Sequence, residues 1–204
     1  MRRGADFSIL FGHNELMNSR LRGSEEALAT LACERLGNRP LPRLLVGGLG
    51  MGFTLRAALG VLPVGAAITV GELVPAIAAW AKGPLAPLFG DCLADPRVSV
   101  EIADIHDLIA EAQSPYDAIL LDVDNGPDGL IHADNDRLYG KRGLRMAHDA
   151  LNPGGVLAIW SAYPDKPFAL RLQRAGFWVD EIRVRATGGR KGAHHIIWLA
   201  VKRS

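Results

Sequence analysis

The chain has 204 residues, of which 49% are hydrophobic, and its 23 basic and 22 acidic side chains leave a formal net charge of +1. This length predicts a single domain over residues 1–204 with one sizeable core, and the balanced charge excludes a global basic field that would hold nucleic acid non-specifically. Cys33 and Cys92 lie far apart and in no ligand spacing, so we expect no disulfide framework and a reducing cytoplasmic location.

The first 42 residues lack a repeating pattern and are predicted to form an extension with one helix. That helix opens at Ser24, a candidate N-cap, continues through Glu25 and Glu26, and ends near Leu36. The two arginines at the start do not begin a secretory signal, because Asp6 interrupts the short apolar stretch behind them. We therefore expect the chain to begin as mature protein.

From residue 43 onward, short apolar runs alternate with helical patterns. The predicted strands cover 43–46, 67–70, 97–102, 117–121 and 156–160, and the predicted helices cover 53–59, 75–82, 105–112, 135–151 and 166–175. Segments 177–185 and 195–201 alternate apolar with polar residues and are predicted to pair as an antiparallel hairpin. The chain therefore predicts an α/β fold with a doubly wound, mostly parallel, seven-stranded Rossmann-like sheet.

The long apolar run over 57–81 carries a single charge and has the length of a membrane span. Pro63, Gly65, Gly71 and Pro75 divide it into a helix end, a strand and a second helix start. We interpret it as the interior of the sheet and expect no membrane association.

A glycine-rich loop follows the first core strand. Glycine lets the backbone turn sharply and approach a bound nucleoside, and the helix behind the loop adds free amide donors. Glu72 ends the second strand, where a carboxylate can accept hydrogen bonds from both ribose hydroxyls. The alternatives are a tight strand-to-helix turn and a solvated glutamate. The candidate nucleoside-binding residues here are Gly48, Leu49, Gly50, Met51, Gly52, Glu72 and Leu73.

The loop has the spacing G-x-G-x-G, and Phe53 stands where the dinucleotide pattern would need its third glycine. This spacing disfavours a nicotinamide-dependent oxidoreductase and favours an adenosyl sulfonium compound. Asp104 follows the third strand, where it can hold the adenine amino group with Ile105 against the ring. An N-cap for the next helix is an equal interpretation of Asp104.

Two carboxylates follow the fourth and most apolar strand. Asp122 falls at its carboxyl end and Asp124 two residues later, beside the expected ligand crevice. A carboxylate next to a sulfonium carbon can hold an ammonium group, orient it and accept its proton, so both are candidate catalytic residues. The alternative for Asp124 is a plain turn ending at Pro127.

Residues 44–162 resemble the spermidine synthase family, a branch of the class I methyltransferase fold. The segments GGLGMGFTLRAAL, YDAILLDVDNGP and LYGKRGLRMAHDALNPGGVLAIW carry the resemblance. It implies S-adenosylmethionine or its decarboxylated form as co-substrate, with no metal. It places Gly48, Gly50, Gly52, Glu72 and Asp104 around the nucleoside, Asp122 on the attacking amine, and Tyr139 as an aromatic after the acidic loop.

Three departures from the family pattern limit what the resemblance implies. Met51 stands where the family usually carries an aspartate for the donor's amino group, and the acidic loop is short. Leu28 and Ala29 occupy the positions of a tyrosine and a histidine, and we expect the usual N-terminal β domain to be missing. Aminopropyl transfer and methyl transfer therefore both stay open.

The sequence thus predicts a transferase that moves an alkyl group from an adenosyl sulfonium donor to a small, amine-bearing acceptor. The alternative is a nucleoside-binding module or partner subunit without catalysis. His194 and His195 lack further ligands at metal-binding spacing, and the basic loop 188–192 is interpreted as an exposed hairpin tip rather than an RNA contact. We expect a small-molecule acceptor and no nucleic acid as partner, and leave a homodimer open.

Overall fold

A computed structural model of the chain describes residues 1–123, 137–187 and 192–203. A small antiparallel sheet comes first, formed by β1 (Arg2–Arg3), β2 (Asp6–Phe11) and β3 (Asn14–Asn18), and helix α1 (Gly23–Leu36) follows it. The prediction that this region contains only a helix was therefore incomplete. The strands are short, and their turns use Gly4 and Gly12 at positive φ, so periodicity alone gave little signal.

The rest of the chain builds the main sheet and its helices. In chain order these are β4 (Arg43–Gly47), α2 (Phe53–Val61), β5 (Ala67–Glu72), α3 (Pro75–Lys82), α4 (Ala86–Phe89), β6 (Val98–Ile102), α5 (Ile105–Ala110), β7 (Tyr116–Leu121), α6 (Lys141–Asp149), β8 (Leu151–Ser161), α7 (Lys166–Arg174), β9 (Phe177–Arg185) and β10 (His194–Lys202). The seven strands lie in the order β6-β5-β4-β7-β8-β10-β9.

This topology confirms the predicted doubly wound sheet with a C-terminal hairpin. Strands β6, β5, β4, β7 and β8 are parallel, whereas β10 pairs antiparallel with both β8 and β9. After β4 the chain moves outward to β5 and β6 and then returns to the other side of β4 as β7. The winding reverses between β4 and β7, so the carboxyl ends of these strands open the crevice where ligands bind in such sheets.

Alternating side chains of the central strands fill two cores, one on each face of the sheet. Val46 packs on one face with Leu28 of α1 and Phe53 of α2, whereas Leu45 packs on the other face with Phe168 of α7. Every residue of β7 is buried. Coverage on both faces explains why β7 is the most continuously apolar strand of the sequence.

Strand β8 differs from its predicted bounds, whereas the apolar run 57–81 folds as predicted. Strand β8 begins at Leu151, which was predicted to end the preceding helix, rather than at 156. Leu151 pairs with Tyr116 of β7, and after a register shift the pairing resumes at Val156. The apolar run 57–81 forms the end of α2, strand β5 and α3, as expected. In the described ranges, no helix has the length and apolar character needed to cross a bilayer.

The N-cap prediction for Ser24 is wrong. Helix α1 begins at Gly23 after Arg22, and no side chain caps its first turn. The Ser24 hydroxyl is buried and bonds with His195 and Trp160 instead, so it is not available to the helix amides. A capping pattern involves neighbouring residues only, so it could not show that distant side chains bind the Ser24 hydroxyl.

A buried carboxylate ties together the amino ends of the three central strands. Asp117 at the start of β7 accepts hydrogen bonds from the backbone N–H of Arg43 at 2.8 Å and from Asn152 Nδ2 at 2.8 Å, and it also pairs with the Arg39 guanidinium. One side chain thus fixes β4, β7 and β8 at the end of the sheet opposite the crevice.

Replacing Asp117 tests this role. We expect Asp117→Ala to lower the free energy of unfolding by about 3 kcal/mol, because it strands the partly buried Arg39 charge and two donors. Chemical denaturation monitored by circular dichroism measures the change. Asp149→Ala, which removes an exposed carboxylate paired with Arg145, is the control and should leave stability nearly unchanged. Equal stability of the two variants would contradict the role of Asp117.

Candidate active site

The loop after β4 bends across the ends of two neighbouring strands. Gly48 has a φ of 88° and its N–H donates to the Gly71 carbonyl of β5 at 2.8 Å. A Cβ added to Gly48 would lie 2.7 Å from the carbonyl oxygen of Asp122, which follows β7. Only glycine combines this φ with this approach, so the first loop glycine is required by the backbone itself.

The other two loop glycines face packing partners. Gly52 has a φ of 80°, and a Cβ there would come within 2.5 Å of the Phe89 ring on α4. Gly50 has a φ of 49°, and its Cβ would stand 3.1 Å from the Met17 methyl group on β3. The small N-terminal sheet therefore reaches the glycine loop, a contact that the sequence did not reveal.

Glu72 joins the glycine loop to the end of β5. Its side chain is buried, with Oε2 accepting from the Leu49 N–H at 3.0 Å and Oε1 accepting from the Val74 N–H at 2.8 Å. This environment rules out the solvated-glutamate alternative. Each carboxylate oxygen can accept a further hydrogen bond, so the carboxylate keeps capacity for a ligand hydroxyl.

Asp122 lies at the carboxyl end of β7, where the winding reverses. Its N–H donates to the Gly47 carbonyl at 3.1 Å, and its Oδ2 accepts from Thr54 Oγ1 at 2.7 Å. Burial raises the pKa of Asp122 to about 6, and the hydrogen bond from Thr54 partly opposes that rise. Thr54 is the second residue of α2, so the helix that follows the glycine loop also orients this carboxylate.

Glu25 is a functional candidate that sequence reasoning missed. It sits in the first turn of α1, where burial, then the Asp122 charge, then the Glu26 charge raise its pKa to about 9. Its carbonyl oxygen lies 3.4 Å from Thr54 Oγ1, the hydroxyl that also contacts Asp122. The only sequence signal was an acidic first turn, which is ordinary at a helix N-terminus.

Asp104 has the N-cap contact that was one of its two interpretations. Its Oδ1 accepts from the His106 N–H at 2.9 Å at the start of α5, and its Oδ2 lies 3.3 Å from Arg137 Nη1. Ile105 is buried beneath β4, with its Cγ1 2.9 Å from the position of a Cβ on Gly47. Contact of either residue with adenine stays a prediction.

Of the other residues predicted to form the site, some are buried, one is exposed and one lies outside the described ranges. Leu49 and Met51 are buried in the core, so their side chains pack inward and their backbone alone borders the loop surface. Leu73 is 67% exposed beside Glu72. Asp124 lies outside the described residues. Tyr139 is buried, with its hydroxyl 3.4 Å from the Val123 carbonyl, just beyond Asp122.

The site consists of carboxylates, glycine backbone and one hydroxyl. Over the described ranges, no group of three or more histidine, cysteine, aspartate or glutamate side chains could hold a metal ion. The arrangement suits a ligand with hydroxyl groups near Glu72 and a positive charge near Asp122.

The chain is similar in sequence to polyamine aminopropyltransferases. No protein-family model matches the chain. Polyamine aminopropyltransferase 1 of Streptomyces coelicolor is 32% identical over 156 residues, which is 71% of this chain and 28% of that protein. The chain thus spans about a third of the length of the curated relatives it matches.

Two solved structures show the same fold. A spermidine synthase in complex with the transition-state analogue AdoDATO has a TM-score of 0.72 at 19% identity, covering 92% of this chain and 62% of that one. Human methyltransferase-like protein 13 in complex with SAH has a TM-score of 0.67 at 23% identity, covering 89% and 82%.

The sheet order and the crevice define a class I methyltransferase fold. Within that fold, the chain is similar in sequence to polyamine aminopropyltransferases and similar in fold to spermidine synthases.

Gly48→Ala tests the requirement for glycine at the bend. We expect it to lower the free energy of unfolding by about 2 kcal/mol or more, because it adds left-handed strain and a contact with the Asp122 carbonyl. Gly60→Ala is the matched control, since Gly60 lies in α2 with open space around a Cβ, and it should be neutral or slightly stabilising. Urea denaturation measures both variants, and an unaffected Gly48→Ala would contradict the close approach.

Proposed function

We propose that the chain is a transferase that binds an adenosyl sulfonium donor in the crevice and moves an aminopropyl or methyl group to a small amine. The observation that carries this proposal is the position of Glu72 and Asp122 on either side of one glycine loop, at the reversal of the winding. Glu72 matches the ribose end of such a donor, and Asp122 matches the acceptor amine that approaches the carbon next to the sulfonium sulfur.

The nucleoside half of the proposal rests on unused hydrogen-bonding capacity. Both oxygens of Glu72 already hold backbone amides, which fixes the carboxylate plane and leaves their second lone pairs for the two ribose hydroxyls. Asp104, at the end of the neighbouring strand, is the candidate partner of the adenine amino group. The proteins of similar fold that hold AdoDATO and SAH support an adenosyl compound as the co-substrate.

The transfer half of the proposal rests on Asp122. An acceptor amine reaches the site as an ammonium ion and gives one proton to the carboxylate of Asp122. The nitrogen lone pair then attacks the carbon bonded to the sulfonium sulfur, the C–S bond breaks, and its electron pair stays on the sulfur. The positive charge moves from sulfur to nitrogen. The protein supplies alignment and a proton acceptor, because the donor is already an activated electrophile.

A nucleoside-binding module without catalysis is the second candidate function. The observation in its favour is Met51, whose core position leaves the loop without the carboxylate that the family resemblance leads one to expect for the donor's amino group. Such a module needs Glu72 and the glycine loop. A module that only binds a nucleoside does not require Asp122, a partly buried aspartate with a raised pKa at the sulfur end of the ligand.

Calorimetric titration tests the nucleoside site. S-adenosylmethionine, its decarboxylated form, methylthioadenosine and NAD are each titrated into the protein. We expect the first three compounds to bind and NAD not to bind. Glu72→Gln should weaken binding about tenfold, because the neutral amide is a poorer acceptor for ribose hydroxyls. Glu101→Gln, on the exposed outer strand β6, is the matched control and should bind like the wild type. Binding of NAD alone would contradict the proposal.

Asp122→Asn tests the transfer step. We expect it to reduce amine-dependent turnover at least about a hundredfold, because asparagine cannot accept the proton, while donor affinity stays within about twofold. Turnover is followed by formation of the thioether product. Asp107→Asn, an exposed carboxylate on α5, serves as the control. Unchanged turnover of Asp122→Asn with intact donor binding would assign this residue a structural role only.

A further inference from the structure

We propose that Thr54 is the positioning residue of the transfer step: its hydroxyl holds one oxygen of the Asp122 carboxylate, Oδ2, and leaves the other, Oδ1, to accept the proton of the incoming ammonium group. This role of Thr54 rests on the proposed function and names the atom at which Asp122 acts in it. Thr54 is not among the residues that the sequence predicted for the site.

The single proton of the Thr54 hydroxyl has two acceptors within reach in the described ranges. Asp122 Oδ2 lies 2.7 Å from Thr54 Oγ1, and the Glu25 carbonyl oxygen lies 3.4 Å from it. A hydroxyl has one proton to donate, and a charged acceptor at short range binds it more strongly than a neutral carbonyl at the limit of the range. The proton of Thr54 is therefore committed to Asp122.

Thr54 holds its position through the backbone of α2. It is the second residue of that helix, its side chain is buried, and α2 packs against α1. A threonine in a helix often bonds back to a carbonyl of its own helix, but in the described part of the chain both acceptors of the Thr54 hydroxyl belong to other elements. A β-branched side chain also has few rotamers, so the hydroxyl is directed at the end of β7 without a flexible linker.

The first turn of α1, which encloses Thr54 from the other side, is fixed as well. Ser24 Oγ lies 2.8 Å from His195 Nδ1 and accepts from Trp160 Nε1 at 3.0 Å. These contacts join the start of α1 to β8 and β10, one residue before the Glu25 carbonyl that lies near Thr54. Thr54 thus lies between two rigid elements, as a residue that orients a functional group must.

The two oxygens of Asp122 differ in their partners. Oδ2 accepts from Thr54, whereas no group in the described ranges donates to Oδ1. A hydrogen bond stabilises the charge on the oxygen that accepts it, so the oxygen without one is the better proton acceptor. In the transfer step the N–H bond of the ammonium group breaks and its proton bonds to Oδ1. The nitrogen keeps the electron pair with which it attacks the donor carbon.

The same hydrogen bond favours the ionised form of Asp122. Burial raises the pKa of Asp122 to about 6, and the hydrogen bond from Thr54 opposes that rise. The ionisable group on α1 that interacts with the Asp122 charge is Glu25, whose pKa is raised to about 9 by burial, then by Asp122, then by Glu26. Glu25 is therefore protonated near pH 6, and we assign the acid limb of the pH–rate profile to Asp122.

Thr54→Val tests this role, because it removes the hydroxyl and nearly preserves the shape of the side chain. With a primary amine as acceptor, we expect kcat to fall about tenfold and the acid limb to move to higher pH by about half a unit or more, since the carboxylate loses a donor that favours its charged form. Donor affinity, measured by calorimetry, should stay unchanged. Thr54→Ala also lacks the hydroxyl and should give the same changes.

Two further variants serve as controls for the loss of the hydroxyl. Thr54→Ser keeps the donor and should restore both kcat and the acid limb. Thr30→Val removes a hydroxyl that donates to the Glu26 carbonyl within α1, and it should behave like the wild type.

Carbon-13 nuclear magnetic resonance of the Asp122 carboxyl separates positioning from a purely structural role, because it follows ionisation without turnover. The titration midpoint should rise in both hydroxyl-free variants and return in Thr54→Ser. An unchanged midpoint in Thr54→Val and Thr54→Ala would overturn the role of Thr54, even if turnover fell, and would leave the transferase standing. A wild-type chain that binds no adenosyl donor would instead overturn the proposed function, and the role of Thr54 with it.

Discussion

The candidate site depends on the bend of the backbone after β4. Gly48 lies against the carbonyl of Asp122, and the next amide, that of Leu49, is held by the carboxylate of Glu72. The loop is therefore fixed between the ends of the two strands that flank β4. Any ligand in the crevice meets a carboxylate on each side of the same turn, and the spacing of those carboxylates is set by the sheet and not by flexible side chains.

An aspartate lies at each end of β7, Asp117 within the strand and Asp122 directly after it, and the two differ in their partners. At the amino end, Asp117 is neutralised by Arg39 and held by further donors, which suits a residue that ties strands together. At the carboxyl end, Asp122 has a threonine and a second acid as neighbours. The arrangement around Asp117 stabilises the fold, because the carboxylate has a cation and hydrogen-bond donors as partners. The arrangement around Asp122 lowers stability, as is common at functional sites.

Much of the fold could be predicted because its signals are local. The apolar run of β7, the glycine cluster after β4 and the position of Glu72 at a strand end identify the sheet and its crevice from short windows of sequence. The surroundings of Ser24 and Glu25 could not be predicted in this way. Both residues lie near groups more than 90 positions away in sequence, and only the packing of α1 against α2 and the sheet brings those groups close. The N-terminal strands were not predicted for a different reason: they are too short to show an alternation of apolar and polar residues.

Nuclear magnetic resonance titration of the labelled chain with S-adenosylhomocysteine tests the central claim most directly. If the bend after β4 and Glu72 enclose an adenosine, the backbone amides of Leu49 and Val74 should shift together in a saturable manner, because the ligand shares the Glu72 carboxylate that these two amides use. Saturable shifts confined to residues remote from this turn, or none at millimolar ligand, would contradict the account.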